Sequence, residues 1–336
     1  MGDVTVKHAL CIALALLTLC PLALAQDSLT LGPFVVTQPE DWTLTYEQHG
    51  VDASMYLDGM DAYVYFRRTD VSGDVSMLPL LHAMGSENAA RFFASAMFSA
   101  RPDALSPCQI AALPGARGSG RVNGVDAAFA AVEYGDCLLS VAASSVKKDM
   151  THDDALDLAL SRVSLSPTSE KAHTEAKSIG PFFVPCPPHA AWRSLPDGLS
   201  LIRSNGLVTV SLQWERQEGQ DTAEMAEALG DEAFLDTASS FFGGDRVVTD
   251  ISRTDAPEGA YYVSASIDAA ALYENMIKRS AADLTADFGA DVTTFTAHGA
   301  LLLSGEYQLT LIAISADPAL PAEALLDQLV TQITLP

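Results

Sequence analysis

The chain has 336 residues, with 43 acidic residues against 19 Lys and Arg, and a formal charge of −24. A surface this acidic repels phosphate backbones and anionic lipid headgroups, and no Lys/Arg-rich run offsets it, so nucleic acid is all but excluded as a partner. No CxxC pair and no Cys/His spacing suited to zinc occurs, so neither a metal nor a cofactor is expected.

Residues 8–25 form an apolar run preceded by Lys7 and ending Ala23-Leu24-Ala25. A basic start, an apolar stretch and a small-x-small end are the marks of a secretory signal, here residues 1–25 with cleavage after Ala25. The protein is therefore expected in the periplasm or secreted. No later segment approaches the ~20 apolar residues of a membrane span, so the mature chain is expected to have none.

From residue 26 the chain reads as a unit of strands, one long helix, more strands and a closing helix. Strands are expected at 34–37, 43–47, 53–57 and 62–67, where Tyr63-Val64-Tyr65-Phe66 suits a pleated surface. A helix is expected over 78–99, then strands near 109–113, 127–134 and 138–144, with Gly135-Asp136 as the turn between the last two. Gly115 to Arg121 reads as a Gly-rich mobile turn, with a weaker reading in which its two arginines meet an anion. Asp153 or Asp154 is expected to cap a helix running to about residue 162. Residues 166–178 lack large apolar side chains and read as a solvated linker.

The same order then returns. Leu31-Gly32-Pro33-Phe34-Val35-Val36 matches Ile179-Gly180-Pro181-Phe182-Phe183-Val184 at a register of 148 positions (180 minus 32). Trp42 matches Trp192, and the strand at 62–68 matches that at 208–214. Near the ends, 133–141 matches 303–311 and 155–165 matches 325–335, both at a register of 170. The chain thus divides into a signal peptide (1–25), a first α+β unit (26–165), a linker (166–178) and a second α+β unit (179–336). The second holds about 22 extra residues, including an expected helix over 271–288. The fold class expected is α+β, two tandem copies of an antiparallel sheet flanked by helices.

An opening Gly-Pro-Phe strand, the turn Pro39-Glu40-Asp41-Trp42, a meander, a long helix and a Gly-turn hairpin before a terminal helix resemble the PsbP/DcrB-like domains. That resemblance extends over both units. It implies α-β-α sandwiches of an exported protein in a mostly non-enzymatic role of binding, assembly or stabilisation, and it brings no catalytic motif. The second unit departs from the pattern with a longer turn, Pro187-Pro188-His189-Ala190-Ala191-Trp192, and with its insertion.

Individual residues carry little chemistry. Cys108 and Cys137 lie on segments that read as neighbouring strands and are candidates for a disulfide. Cys186 is free, paired with another chain, or buried and inert. Asp52, Asp58, Asp61, Asp70 and Asp74 read as solvated turn residues, since Asp70 to Asp74 lacks the alternation and final Glu of a calcium loop. Trp42 and Trp192 read as core, with Tyr63 and Tyr65 on one strand face and Phe66 on the other. No histidine has metal-sharing spacing; His298 reads as part of a Thr-Ala-His-Gly turn near the second hairpin, and a spatial pairing of a histidine with a Ser and an Asp stays open.

Three readings remain. The first is a protein-binding or envelope-assembly factor with a protein partner in the cell envelope. The second is a small-ligand or cation-binding module with its site between the units, where Arg67-Arg68 would face Arg193 or Arg203. The third is an enzyme of unrecognised type using the insertion.

Overall fold

The computed structural model describes residues 28–48, 52–57, 61–72, 101–122, 125–195, 198–203, 207–254, 260–277, 282 and 292–335. The signal segment and the helix expected over 78–99 lie outside these, as does most of the helix expected over 271–288. The described residues form a mixed α/β structure with six α-helices and four antiparallel sheets.

A hairpin opens the chain, β1 (Ser28–Leu31) and β2 (Phe34–Thr37), and β10 (Val163–Leu165) pairs onto β2 as a third strand. The first large sheet holds β3 (Trp42–Gln48), β4 (Asp52–Leu57), β5 (Ala62–Asp70), β6 (Arg101–Ile110), β7 (Leu113–Val122), β8 (Val125–Tyr134) and β9 (Cys137–Ser145). Their spatial order is β3-β4-β5-β9-β8-β7-β6. Alternation in β5 buries Ala62, Val64 and Phe66 and leaves Tyr63 and Tyr65 half-buried, so the aromatic run divides between faces as expected. In β8 and β9 both faces are buried, which is why these central strands read as continuous apolar runs.

Helix α1 (His152–Leu160) covers one face with Ala155, Leu156, Ala159 and Leu160. Its cap is Thr151, whose hydroxyl takes the Asp154 amide at 3.1 Å while Asp154 takes the Thr151 amide at 2.8 Å. The Asp expected as the cap is therefore the return half of a capping box. Residues expected as a solvated linker contain a second helix, α2 (Pro167–Thr174). Pro167 opens its first turn and Lys171 pairs with Glu175 one turn on, at 3.2 Å. None of its residues is buried, so a composition poor in apolar residues does not oppose the helix.

Two further departures concern the Gly-rich stretch. Gly115 to Arg121 forms most of β7, a central strand and not a mobile turn. At Gly115 a Cβ would collide with the carbonyl of Ala131 on β8, so the residue permits close backbone approach within the sheet. Its arginines are already paired, Arg117 with Asp153 (2.8 Å) and Asp157 (2.5 Å), and Arg121 with Asp126 (3.1 Å). The strand expected at 109–113 is instead a reversal: β6 ends at Ile110 and β7 starts at Leu113.

After the short hairpin β11 (Lys177–Ile179) and β12 (Phe182–Val184), the second large sheet holds β13 (Ala190–Leu195), β14 (Gly198–Arg203), β15 (Val208–Arg216), β16 (Val248–Thr254), β17 (Tyr261–Ile267), β18 (Thr296–Ser304) and β19 (Tyr307–Ser315). Its order, β13-β14-β15-β19-β18-β17-β16, repeats that of the first sheet strand for strand. Between β15 and β16 lie α3 (Thr222–Leu229) and α4 (Asp231–Ala238); α5 (Ala269–Ile277) follows β17, and α6 (Ala322–Val330) closes the chain.

Three apolar cores result. One holds Trp42, Phe66, Leu139 and Leu156 between the first sheet and α1. A second holds Trp192, Leu212, Leu311 and Leu326 between the second sheet and α6. The third joins the units, since Phe129, Ala131, Leu138 and Ala142 of the first sheet belong to the same cluster as Tyr261, Val263, Leu301 and Leu303 of the second. No helix of the described residues is long and apolar enough to cross a membrane.

Candidate functional site

The tight turn Gly135-Asp136 projects from the end of the first sheet and meets the edge strand β13 of the second. Gly135 holds φ +55°, and the His173 ring stands where a Cβ would be, so only glycine fits. Arg193 Nε donates to the Gly135 carbonyl at 2.9 Å, and its guanidinium forms an ion pair with Glu133. Both charged side chains are essentially removed from water, at 0% and 2% exposure. Asp136 completes the junction by accepting from the Ser194 amide at 2.5 Å and the Ser194 hydroxyl at 3.0 Å.

Beside this junction lies a cavity of about 220 Å³. Leu113, Leu165, Ala190, Ala191 and Ile202 give it apolar walls from both units, and Glu170 and Thr174 of α2 stand over it. Tyr134 also lines it. That residue is 8% exposed, its ring leans on His173 at 5.4 Å, and its hydroxyl is buried without a hydrogen-bond partner. Burial, reinforced by the negative charge of Glu170, pushes the phenol up to about 12, so it is a neutral O–H at ordinary pH.

Backbone strain gathers at the same place. Ala111, Ala112 and His189 are the non-glycine residues with positive φ among the described ones, at 52°, 62° and 61°. His189 lines the cavity, and the two alanines form the reversal directly before Leu113, which also lines it. Side chains held in the left-handed region cost free energy and tend to concentrate at functional sites. His189 further borders a second cavity of about 170 Å³ between β13 to β15 and α6.

Of the four arginines expected at a site between the units, the fold brings Arg193 into the seam. Arg68 packs against Gly32 and Cys137 at the β1–β2 turn, and Arg67 on the same strand is exposed. The side chain of Arg203 lies outside the described residues. The disulfide expected between Cys108 and Cys137 does not form, and both thiols are free. Cys108 is on β6 and Cys137 on β9, with β7 and β8 between them. Three strand spacings of about 4.8 Å far exceed the reach of a disulfide. Burial raises Cys108 to about 11, Cys137 to about 12 and Cys186 to about 11, which leaves all three as unreactive thiols.

His298 lies within strand β18 and not in the turn expected there, and it meets a serine. Its Nε2 lies 2.7 Å from Ser264 Oγ, on the face of the second sheet that α6 covers. The ring is 5% exposed, and burial lowers its pKa against the opposing pull of Glu323 and Asp327. Glu133, Tyr134 and His173 were missed as site residues by sequence reasoning. The one signal near them was the Gly135-Asp136 turn, which the second unit repeats at Gly305-Glu306.

No protein-family model matches the chain, and no curated protein matches it. Among solved structures it is similar to cyanobacterial PsbP (CyanoP) from Synechocystis sp. PCC 6803, with 14% identity and a TM-score of 0.31 over 42% of this chain and 91% of that one. It is also similar to a crystal structure from Bacteroides thetaiotaomicron VPI-5482, with 12% identity and a TM-score of 0.28 over 47% of this chain and 53% of that one.

Proposed function

We propose that the chain is an exported, non-catalytic binding protein built from two PsbP-like α-β-α units, with its binding site in the seam between them. The observation that carries this reading is a cavity of about 220 Å³ beside the junction, to which both units contribute walls and which the buried Arg193–Glu133 pair borders. Apolar walls with a few convergent polar groups are the usual form of a small-molecule site. The duplication is supported by the repeated strand order and by the matching turns at Gly135 and Gly305, whose φ values are 55° and 54°.

A protein partner in the cell envelope is the second reading. Met225 and Leu229 favour it, one turn apart on α3 and exposed at 52% and 55%.

Thermal-shift titration of the chain against a panel of small metabolites tests the first reading, with Ala190→Trp as the variant that fills the cavity. A compound that raises the melting point of the native chain with the logarithm of its excess over Kd, and leaves the variant unmoved, is the expected result. Shifts of equal size in both proteins, or none in either, would refute a seam site.

A further inference from the structure

We infer that the cavity of about 170 Å³ between β13 to β15 and α6 takes an uncharged, planar aromatic molecule the size of indole, in the place that the first unit fills with its own Trp42. This site is separate from the seam and does not depend on it.

The strand ladders fix which residues of the two units stand in the same place. Val64 and Val210 are each the third of nine residues, on β5 and β15. Val64 pairs with Met55, which pairs in turn with Leu44. Val210 pairs with Leu201, which pairs in turn with Trp192. Trp192 therefore holds the place of Leu44, and Ala190, two residues earlier, holds that of Trp42. The turns agree: the Trp42 amide donates to the Pro39 carbonyl at 3.1 Å, and the Ala190 amide to the Pro187 carbonyl at 3.2 Å. The second turn thus has the same length as the first, and the expected match of Trp42 with Trp192 gives way to Trp42 with Ala190.

That exchange opens the space. In the first unit the indole of Trp42, buried beside Met55 and Val64, leaves about 10 Å³. In the second unit an alanine stands there, with Leu201 and Val210 behind it, and about 170 Å³ is left. Trp192 does not fill it, since its ring is buried in the second core and its N–H donates to the Glu175 carbonyl at 2.7 Å. Walls beside a void lose dispersion contacts that an occupant restores.

The lining sets the chemistry of the occupant. Leu201, Val208, Val210 and Leu325 are buried and apolar, and among the described residues no Asp, Glu, Lys or Arg lines the cavity. The exposed side chains of His189 and Gln328 mark its mouth. A volume slightly above the ~150 Å³ of a cavity that admits benzene suits a ring system of one or two fused rings. Because the deep walls are buried, the occupant enters whole, as a small molecule. A charged group would lose water there with no partner to meet it.

Isothermal titration of the full chain with indole tests the inference, with indole-3-acetate as the charged comparison. Indole is expected to bind, and the acetate at least about tenfold more weakly. Ala190 and His189 border the seam cavity too, so the blocking substitutions are Leu320→Trp and Gln328→Trp, which border this cavity and not the seam. Each should abolish binding. Circular dichroism checks that both variants fold, and Gln328 is exposed on α6, so its replacement spares the core. Thr174→Trp, on the seam cavity alone, should leave indole binding unchanged. Absence of indole binding, binding that survives Gln328→Trp, or equal binding of the acetate would overturn the inference. Loss of binding in Thr174→Trp alone would move indole to the seam, overturning this site while leaving the seam reading standing. Tighter binding of N-acetyltryptophanamide than of indole would assign the cavity to a tryptophan side chain of a partner and overturn the free ligand.

Discussion

Arg193 is a charged residue that the fold has taken wholly out of water, held by Glu133 and by the carbonyl of Gly135. Removing one partner of such a pair strands the other as a buried charge. Arg193→Met should therefore cost about 3–5 kcal/mol of stability in urea unfolding, and adding Glu133→Gln should recover part of that loss. A double variant less stable than the single one would show that the pair is not the source of the effect. His298 offers a pH-dependent counterpart. Burial among Ser264 and its sheet neighbours depresses its folded pKa below the ordinary 6.5, with Glu323 and Asp327 only partly opposing. The unfolded chain then binds the proton more readily than the native one. Its contribution is fully present above about pH 6.5 and is lost as pH falls through the lower folded pKa. Melting points followed from pH 8 to pH 5 should fall, and the slope should flatten in His298→Gln. An unchanged slope would assign the acid sensitivity elsewhere.

At the scale of elements, local chemistry and its exceptions are both visible. The two-residue reversal Ala111-Ala112 carries φ of 52° and 62°, a conformation for which Asn-Gly is the usual choice. Ala112→Gly should raise stability by up to about 1 kcal/mol, since relief of the left-handed penalty outweighs glycine's added unfolded-state entropy. A destabilised variant would mean that the Ala112 methyl packs more favourably than its backbone suffers. Strands at 34–37 and 62–67 were legible because β-branched and aromatic residues alternate there, and the Gly135 turn because a glycine sits between two apolar runs. The edges of β6 and β7 were not. Alanine gives no turn signal, and a strand containing Gly115, Gly118 and Gly120 looks like a loop until the backbone of β8 is seen lying close against it. Likewise α2 hid in a polar stretch, since its helical signal lies in Pro167 and one ion pair and not in any apolar face.

The whole molecule depends on surfaces that no single unit can cover. Arg193 was legible as a residue between the units and Gly135 as a turn, but their contact was not, because the two stand 58 positions apart and no pattern links them. The same junction bears on cooperativity. Phe129 and Leu138 of the first sheet are buried in a cluster shared with Tyr261, Val263 and Leu301 of the second. Exposing a large apolar side chain costs about 1.5–3 kcal/mol, so these two alone would forfeit roughly 3–6 kcal/mol if one unit unfolded without the other. That is comparable to the whole margin of a typical domain, about 5–15 kcal/mol. The Arg193–Glu133 pair adds to the penalty, because unfolding of either unit strands a charge in whatever structure remains. The chain should therefore melt in one transition, with a calorimetric enthalpy equal to the van't Hoff enthalpy. Arg193→Met should lower that transition, and if it weakens the junction enough, divide it in two. Two separated transitions in the native chain would show that the units fold independently and that the seam is a loose contact, too mobile to keep a cavity in shape for a ligand.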